Sequence, residues 1–147
     1  MPSPTNTQMG KVTTTITVTN EVDQILAERG FIPLDQIRSI TLHNVLVDTG
    51  ATRLCLPAEI ISQLGLTPVG EIVVKTAAGN RTVRVFKNAA LNVEGREGSY
   101  NCIELPGGED PLLGVFPLED LALEPDLKNQ CLRHLPIDGN DTYHTIY

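Results

Sequence analysis

An apolar run, Val45-Leu46-Val47, leads without a break into Asp48-Thr49-Gly50 and then Ala51-Thr52. Side chains of that kind favour a buried strand, and small turn-forming residues directly after a carboxylate end it sharply. The fold must therefore bring a carboxylate to the end of an interior strand, at the lip of a tight turn. The motif occurs once in 147 residues. One carboxylate cannot do the paired acid and base work of a hydrolytic site, so a catalytic reading demands a second copy from another chain.

The length fits a single domain with one sizeable core. Aromatics are scarce, Trp is absent, and Val, Ile, Leu and Thr supply the bulk. That composition leans toward a β-rich interior. A formal charge of −7 without a Lys/Arg cluster speaks against a nucleic-acid partner, whose affinity comes from clustered cations that release counterions. No stretch approaches the ~18 apolar residues that span a bilayer, and no basic-then-apolar leader opens the chain, so a cytoplasmic protein without a membrane partner is expected. Cys55, Cys102 and Cys131 are odd in number and widely spaced, which fits reduced thiols better than a zinc site. Asn80-Arg81-Thr82 and Asn140-Asp141-Thr142 match a glycosylation sequon, but without a secretory leader they read as polar loops.

Residues 1–10 are rich in Pro, Ser, Thr and Asn and are expected to be a flexible lead-in, with one domain over 11–135 and a C-terminal tail over 136–147. Val12, Ile16 and Val18 among threonines predict a half-buried strand from Lys11 to Asn20. Asn20 is a fitting cap, and Gly30 a fitting stop, for a short helix from Glu21 to Arg29. Strand character returns from Arg38 to Val47. A helix is expected over Leu56 to Leu64, opened by Pro57 and stopped by Gly65. Strands at Glu71 to Lys75 and Arg81 to Phe86 flank a Thr76-Ala77-Ala78-Gly79-Asn80 turn, giving a slim hairpin. Further strands are expected at Ala89 to Val93 and Ser99 to Leu105, with a turn around Gly95 and Gly98 between them. Pro111-Leu112-Leu113-Gly114 reads as an apolar strand, and Pro117 opens a further short helix to about Leu121. Many short strands with two or three brief helices predict an all-β fold, a small closed or nearly closed barrel.

Three elements in order carry a resemblance: Leu46-Val47-Asp48-Thr49-Gly50-Ala51, a Gly79-tipped hairpin about 30 residues later, and Leu112-Leu113-Gly114 before a short helix. From Arg38 to Asp126 the chain resembles the retropepsin-like aspartic proteases, and among them the prokaryotic members more than the retroviral ones. The resemblance implies an acid-protease barrel with one lobe per chain. It implies a homodimer in which Asp48 of each copy meets its mate across a two-fold axis. Such a dyad shares one proton; the ionised member activates a water and the protonated member polarises the scissile carbonyl of a peptide or protein substrate, with no metal or other cofactor.

The same resemblance gives the neighbours their roles. Thr49 braces the two loops across the interface, and Gly50 and Ala51 lie against the substrate backbone. Ala77, Ala78 and Gly79 form a flap that closes over it. Leu112, Leu113 and Gly114 form an apolar-apolar-Gly element that packs beneath the active-site loop. Retroviral members carry acidic residues just after the motif and an Arg after the second Gly, an ion-pair support for the dimer. Here Thr52-Arg53 and Val115 stand instead, so the dimer contacts must be built differently.

Plainer readings stand beside these. Asp48 also fits an ordinary turn or cap, Gly79 an ordinary hairpin glycine, and Cys55 a small buried apolar residue or a redox-sensitive thiol. His43, His134 and His144 lack metal-ligand spacing. A catalytically weak dimerisation or protein-interaction module of the same fold is the alternative function.

Overall fold

The computed structural model describes residues 11–106 and 109–137. The expected lead-in, nearly all of the expected tail, His144 and the sequon at Asn140 lie outside them. Among the described residues nine strands carry the fold: β1 (Val12–Asn20), β2 (Ser39–Val47), β3 (Leu54–Pro57), β4 (Thr67–Thr76), β5 (Gly79–Val93), β6 (Arg96–Leu105), β7 (Leu112–Leu113), β8 (Leu123–Asp126) and β9 (Cys131–His134). In the same residues three short helices accompany them, α1 (Glu21–Glu28), α2 (Ala58–Leu64) and α3 (Val115–Asp120), with a 3-10 turn at Leu34–Gln36. No helix among the described residues is long and apolar enough to cross a membrane.

Six strands close on themselves in the order β1-β2-β7-β3-β6-β5, and the ring is completed by pairing of β5 with β1. Two neighbours are parallel, β2 with β7 and β3 with β6; the rest are antiparallel. Closure removes free edges from the ring. Its interior is filled by Ile16, Val18, Leu54, Leu56, Leu91 and Leu113, all fully buried, with Leu64 of α2 and Leu118 of α3 packed in the same cluster. β4 lies outside the ring and among the described residues pairs with β5 alone, while β8 and β9 form a separate two-stranded sheet.

The break expected between Arg81 to Phe86 and Ala89 to Val93 is a bend inside one 15-residue strand, not a boundary. The register slips between Phe86 and Ala89, and Asn88 takes a left-handed φ of 63° that Asn tolerates better than most residues. Before the bend β5 pairs with β4; after it β5 pairs with β1. Asn88 Nδ2 donates to Glu21 Oε1 at 2.8 Å, tying the bend to α1.

Two helix starts are corrected. Pro57 closes β3 and stands before α2, so residues 54–57 are strand, where the sequence suggests a helix from Leu56; parallel pairing with β6 over Leu54↔Cys102 to Pro57↔Leu105 outweighs the local proline signal. α3 begins at Val115, two residues ahead of Pro117, because the N–H groups of Val115 and Phe116 donate to Ala51 and Thr52. α1 ends at Glu28, one residue earlier than expected, with Gly30 at φ 79° behind it. β8 and β9 have no counterpart in the sequence reading.

One corner joins α1, β2 and α2. Asn20 Oδ1 accepts from the Asp23 N–H at 3.0 Å, and its Nδ2 donates to Leu64 O at 2.8 Å. Asp23 is buried and accepts three N–H groups of Arg38: backbone N (3.0 Å), Nε (2.8 Å) and Nη2 (3.0 Å). Those bonds hold its carboxyl below the usual carboxylate range. The same guanidinium lies where a side chain at Gly65 would stand.

Asn20→Ala removes a helix cap and a buried hydrogen bond together, and is expected to cost about 2 kcal/mol in urea unfolding. Because the folded pKa of Asp23 is lowered, its contribution is fully present above the unfolded value of about 4 and is lost as pH falls through the folded value. Wild-type stability should therefore decline below pH ~4 more steeply than that of Asp23→Asn, as read by thermal melts across an acid series.

Candidate active site

β2 delivers Asp48 to the end of the ring. Val45 and Val47 are buried, and the Asp48 N–H donates to Leu113 O at 3.0 Å. The chain then turns: Gly50 N–H donates to Asp48 Oδ1 at 2.8 Å, and Ala51 N–H to Asp48 O at 3.1 Å. A carboxylate accepting the N–H two residues on is an Asx turn, which holds the Asp48 side chain over its own loop. The loop is strapped to the following helix by Val115 N–H to Ala51 O and Phe116 N–H to Thr52 O, both 2.9 Å.

Leu112 and Leu113 lie directly beneath this loop, between β2 and β3. Gly114 has no space for a side chain: a Cβ there would come within 2.6 Å of Arg53 N and 2.8 Å of Ala51 O, both backbone atoms. At Gly50 the constraint is different, since a Cβ would stand 3.1 Å from Asp48 Oδ1 and crowd the carboxylate itself.

Asp48, Gly50 and Ala51 open onto a cleft of about 360 Å³. Its floor is a small apolar cluster separate from the main core, with Cys55, Val83 and Ile103 at its centre and Leu112, Val74 and Leu105 packed on them. Asp48 is half-buried, whereas Thr49 and Gly50 are exposed. Thr49 turns away from the cleft into another depression, beside Val115, Leu118 and Pro125. Ala77 and Ala78 form the exposed tip of the β4–β5 hairpin, with Gly79 at φ 112° beside them, and none of the three lines the cleft. The arms of the hairpin do so instead, through Val74, Lys75, Thr76, Arg81 and Val83. Counting in twos from the turn groups all of these but Lys75 on one face, since alternate residues of paired strands share a face, but does not say which face meets the cleft.

Glu104 also reaches the cleft, but Arg84 holds it through Nε at 3.0 Å and Nη2 at 2.6 Å, with the guanidinium stacked 5.2 Å over Phe86. Burial and, secondarily, the nearby Asp48 charge push the Cys55 thiol up to about 11, so it stays protonated at neutral pH. Cys102, buried in the main core, is pushed up to about 12 for the same first reason. His43 meets Thr15 Oγ1 at 3.2 Å, and His134 faces Glu94 at 3.7 Å. A larger concavity, about 490 Å³, lies between β1, β5 and β6, but its two carboxylates are engaged, Glu21 accepting from Asn88 and Ser99 and Glu97 from Asn92. Besides Glu104, four charged side chains line the Asp48 cleft without an ion pair among the described residues, those of Asp48, Lys75, Arg81 and Glu109.

Ellman's reagent at pH 7–8 should titrate one thiol quickly, that of exposed Cys131, and two slowly, those of Cys55 and Cys102. Removing Cys131 as Cys131→Ser should abolish the fast phase alone.

A family profile described as aspartyl protease matches residues 36–115, a span that begins just before β2 and ends at the start of α3. No curated protein matches the chain. With Asp48-Thr49-Gly50 at the end of an interior strand, a closed β ring behind it and more than half of the sequence inside the family match, this chain belongs to the aspartyl protease family, of the retropepsin-like clan.

Proposed function

We propose that the protein is a homodimeric aspartic endopeptidase in which Asp48 and its symmetry mate activate a water for peptide hydrolysis. The observation that supports this is the solitary state of Asp48. Its carboxylate opens on the cleft, and the hydrogen bond it accepts comes from its own loop; among the described residues no second carboxylate is bonded to it. Of the other acids in the cleft, Glu104 is taken by Arg84 and Glu109 makes no hydrogen bond or ion pair to Asp48. A two-fold axis beside the exposed Thr49-Gly50 segment would supply the missing partner, because an isologous contact sets each residue against its own copy.

In that arrangement the domain, 11–135, contributes one lobe per copy. The paired carboxylates share one proton, and the ionised member takes a proton from water while the neutral one hydrogen-bonds the substrate carbonyl. Gly50 serves twice, by its N–H on Asp48 Oδ1 and by leaving room for that oxygen. Thr49, facing the depression beside Val115 and Leu118, stands where dimer contacts would form without the ion pairs of retroviral members. Ala77, Ala78 and Gly79 would reach substrate only when the hairpin closes.

Asp48→Asn should lower kcat/KM on cleaved peptides by about 10³-fold or more while leaving the melting profile unchanged. Specific activity should rise with protein concentration in step with the dimer fraction from sedimentation. Gly50→Ala is expected to fold normally yet lose activity, whereas Gly114→Ala should lose about 1–3 kcal/mol of stability before any effect on rate is read. Undiminished cleavage by Asp48→Asn would end the aspartic mechanism, and a strictly monomeric chain that still cleaves would end the shared site.

A further inference from the structure

The hairpin strand β5 places an arginine in the cleft. Register pairing sets Ile72 opposite Val83 and Val74 opposite Arg81, so these four side chains share one face of the hairpin. Three of them, Ile72, Val74 and Val83, belong to the apolar cluster that floors the cleft. Arg81 is the fourth, and it lines the cleft with no hydrogen bond or ion pair to its guanidinium among the described residues. Arg84, three residues on, is satisfied by Glu104, so the contrast is within one strand. A planar cation with five N–H donors beside an apolar floor is a receptor for a carboxylate.

The spacing defines what would bind. Arg81 and Val83 are two residues apart on one face of a strand, a separation of about 6.6 Å. An extended peptide presents side chains on one face at the same interval. A peptide lying along β5 can therefore seat an apolar side chain over Val83 and Ile103 and set a carboxylate two residues away against Arg81.

We propose that Arg81 is a specificity-determining residue that selects substrates carrying Asp or Glu two positions from the apolar side chain held in the cleft. The proposal rests on the reading of this cleft as a peptide-hydrolysing site. Arg81 is exposed in the chain alone, where water screens it. A bound peptide would exclude that water and strengthen the contact. Glu109 and Lys75 line the same cleft, their side chains likewise without a hydrogen bond or ion pair among the described residues.

The test uses full-length protein and a peptide set built on one leucine, with Asp, Glu, Asn, Gln or Lys two residues to either side. Wild type should favour the acidic peptides over their amide counterparts by about tenfold in kcat/KM, carried by KM. Arg81→Gln should bring the ratio to about one, Arg81→Lys should keep part of it, and Arg81→Glu should turn preference toward Lys. The preference should shrink between about 0.05 and 0.5 M salt, which a purely structural role would not produce. Glu109→Gln should leave it intact or raise it.

Equal use of acidic and amide peptides by wild type, or a ratio unmoved by Arg81→Gln, overturns the proposal. Should no peptide be cleaved, anisotropy of the same labelled peptides on Asp48→Asn separates the two questions. Acid-selective binding that Arg81→Gln removes supports the role of Arg81 and leaves the hydrolytic reading to fall alone; absence of acid-selective binding rejects the role of Arg81.

Discussion

A strand of two residues holds the cleft in place. β7, Leu112–Leu113, lies between β2 and β3, parallel to one through Leu46↔Leu112 and Val47↔Leu113 and antiparallel to the other through Leu54↔Leu113 and Cys55↔Leu112. The chain must leave β2, pass over β7 and return on its far side as β3. Residues 48–53 are that passage, and the Asp48 N–H bond to Leu113 O is its first fastening. Gly114 sits under the arch, where backbone atoms of Ala51 and Arg53 leave no room for a side chain. The carboxylate is thus positioned by the same strands that provide Cys55 and Leu112 to the cleft floor. Position of the acid and shape of the pocket are one packing problem.

Against this base stands a strand held from one side only. Each ring strand has partners on both sides, whereas β4 pairs only with β5 and is exposed along most of its length. Of its residues, Ile72 and Val74 alone pack on the apolar cluster of the floor. Few buried contacts and a one-sided ladder describe a segment that opens at low local free energy. The site thus combines an acid fixed by the ring with a wall that has a strand partner on one side only. The bend at Asn88 makes both possible in one strand, because β5 belongs to the hairpin before it and to the ring after it.

Far from the cleft, Asn20, Asp23 and Arg38 do for the helices what β7 does for the loop. Asn20 bonds both the start of α1 and the end of α2, and Arg38 lies across Gly65 while it satisfies Asp23. Nothing in the local pattern of residues 20–38 announces this corner, since Asn20 and Gly65 are 45 residues apart. Local signals did find the cap and the stop separately. Their meeting is a tertiary fact.

By itself the sequence determined the β-rich class, the Asp48 strand end, the slim hairpin and the apolar Leu112-Leu113-Gly114 stretch, because each is written in short-range periodicity and turn chemistry. It also limited the chain to one Asp-Thr-Gly. Closure of the ring, the insertion of β7, strand 54–57 in place of the start of a helix, and α3 starting ahead of its proline depend on pairing between distant segments, which can outweigh local preference. β8 and β9 went unread for the same reason: four-residue strands carry too little pattern to stand apart from loop. Which hairpin residues face Asp48 was decided by tertiary structure too, since a face acquires meaning only when something packs against it.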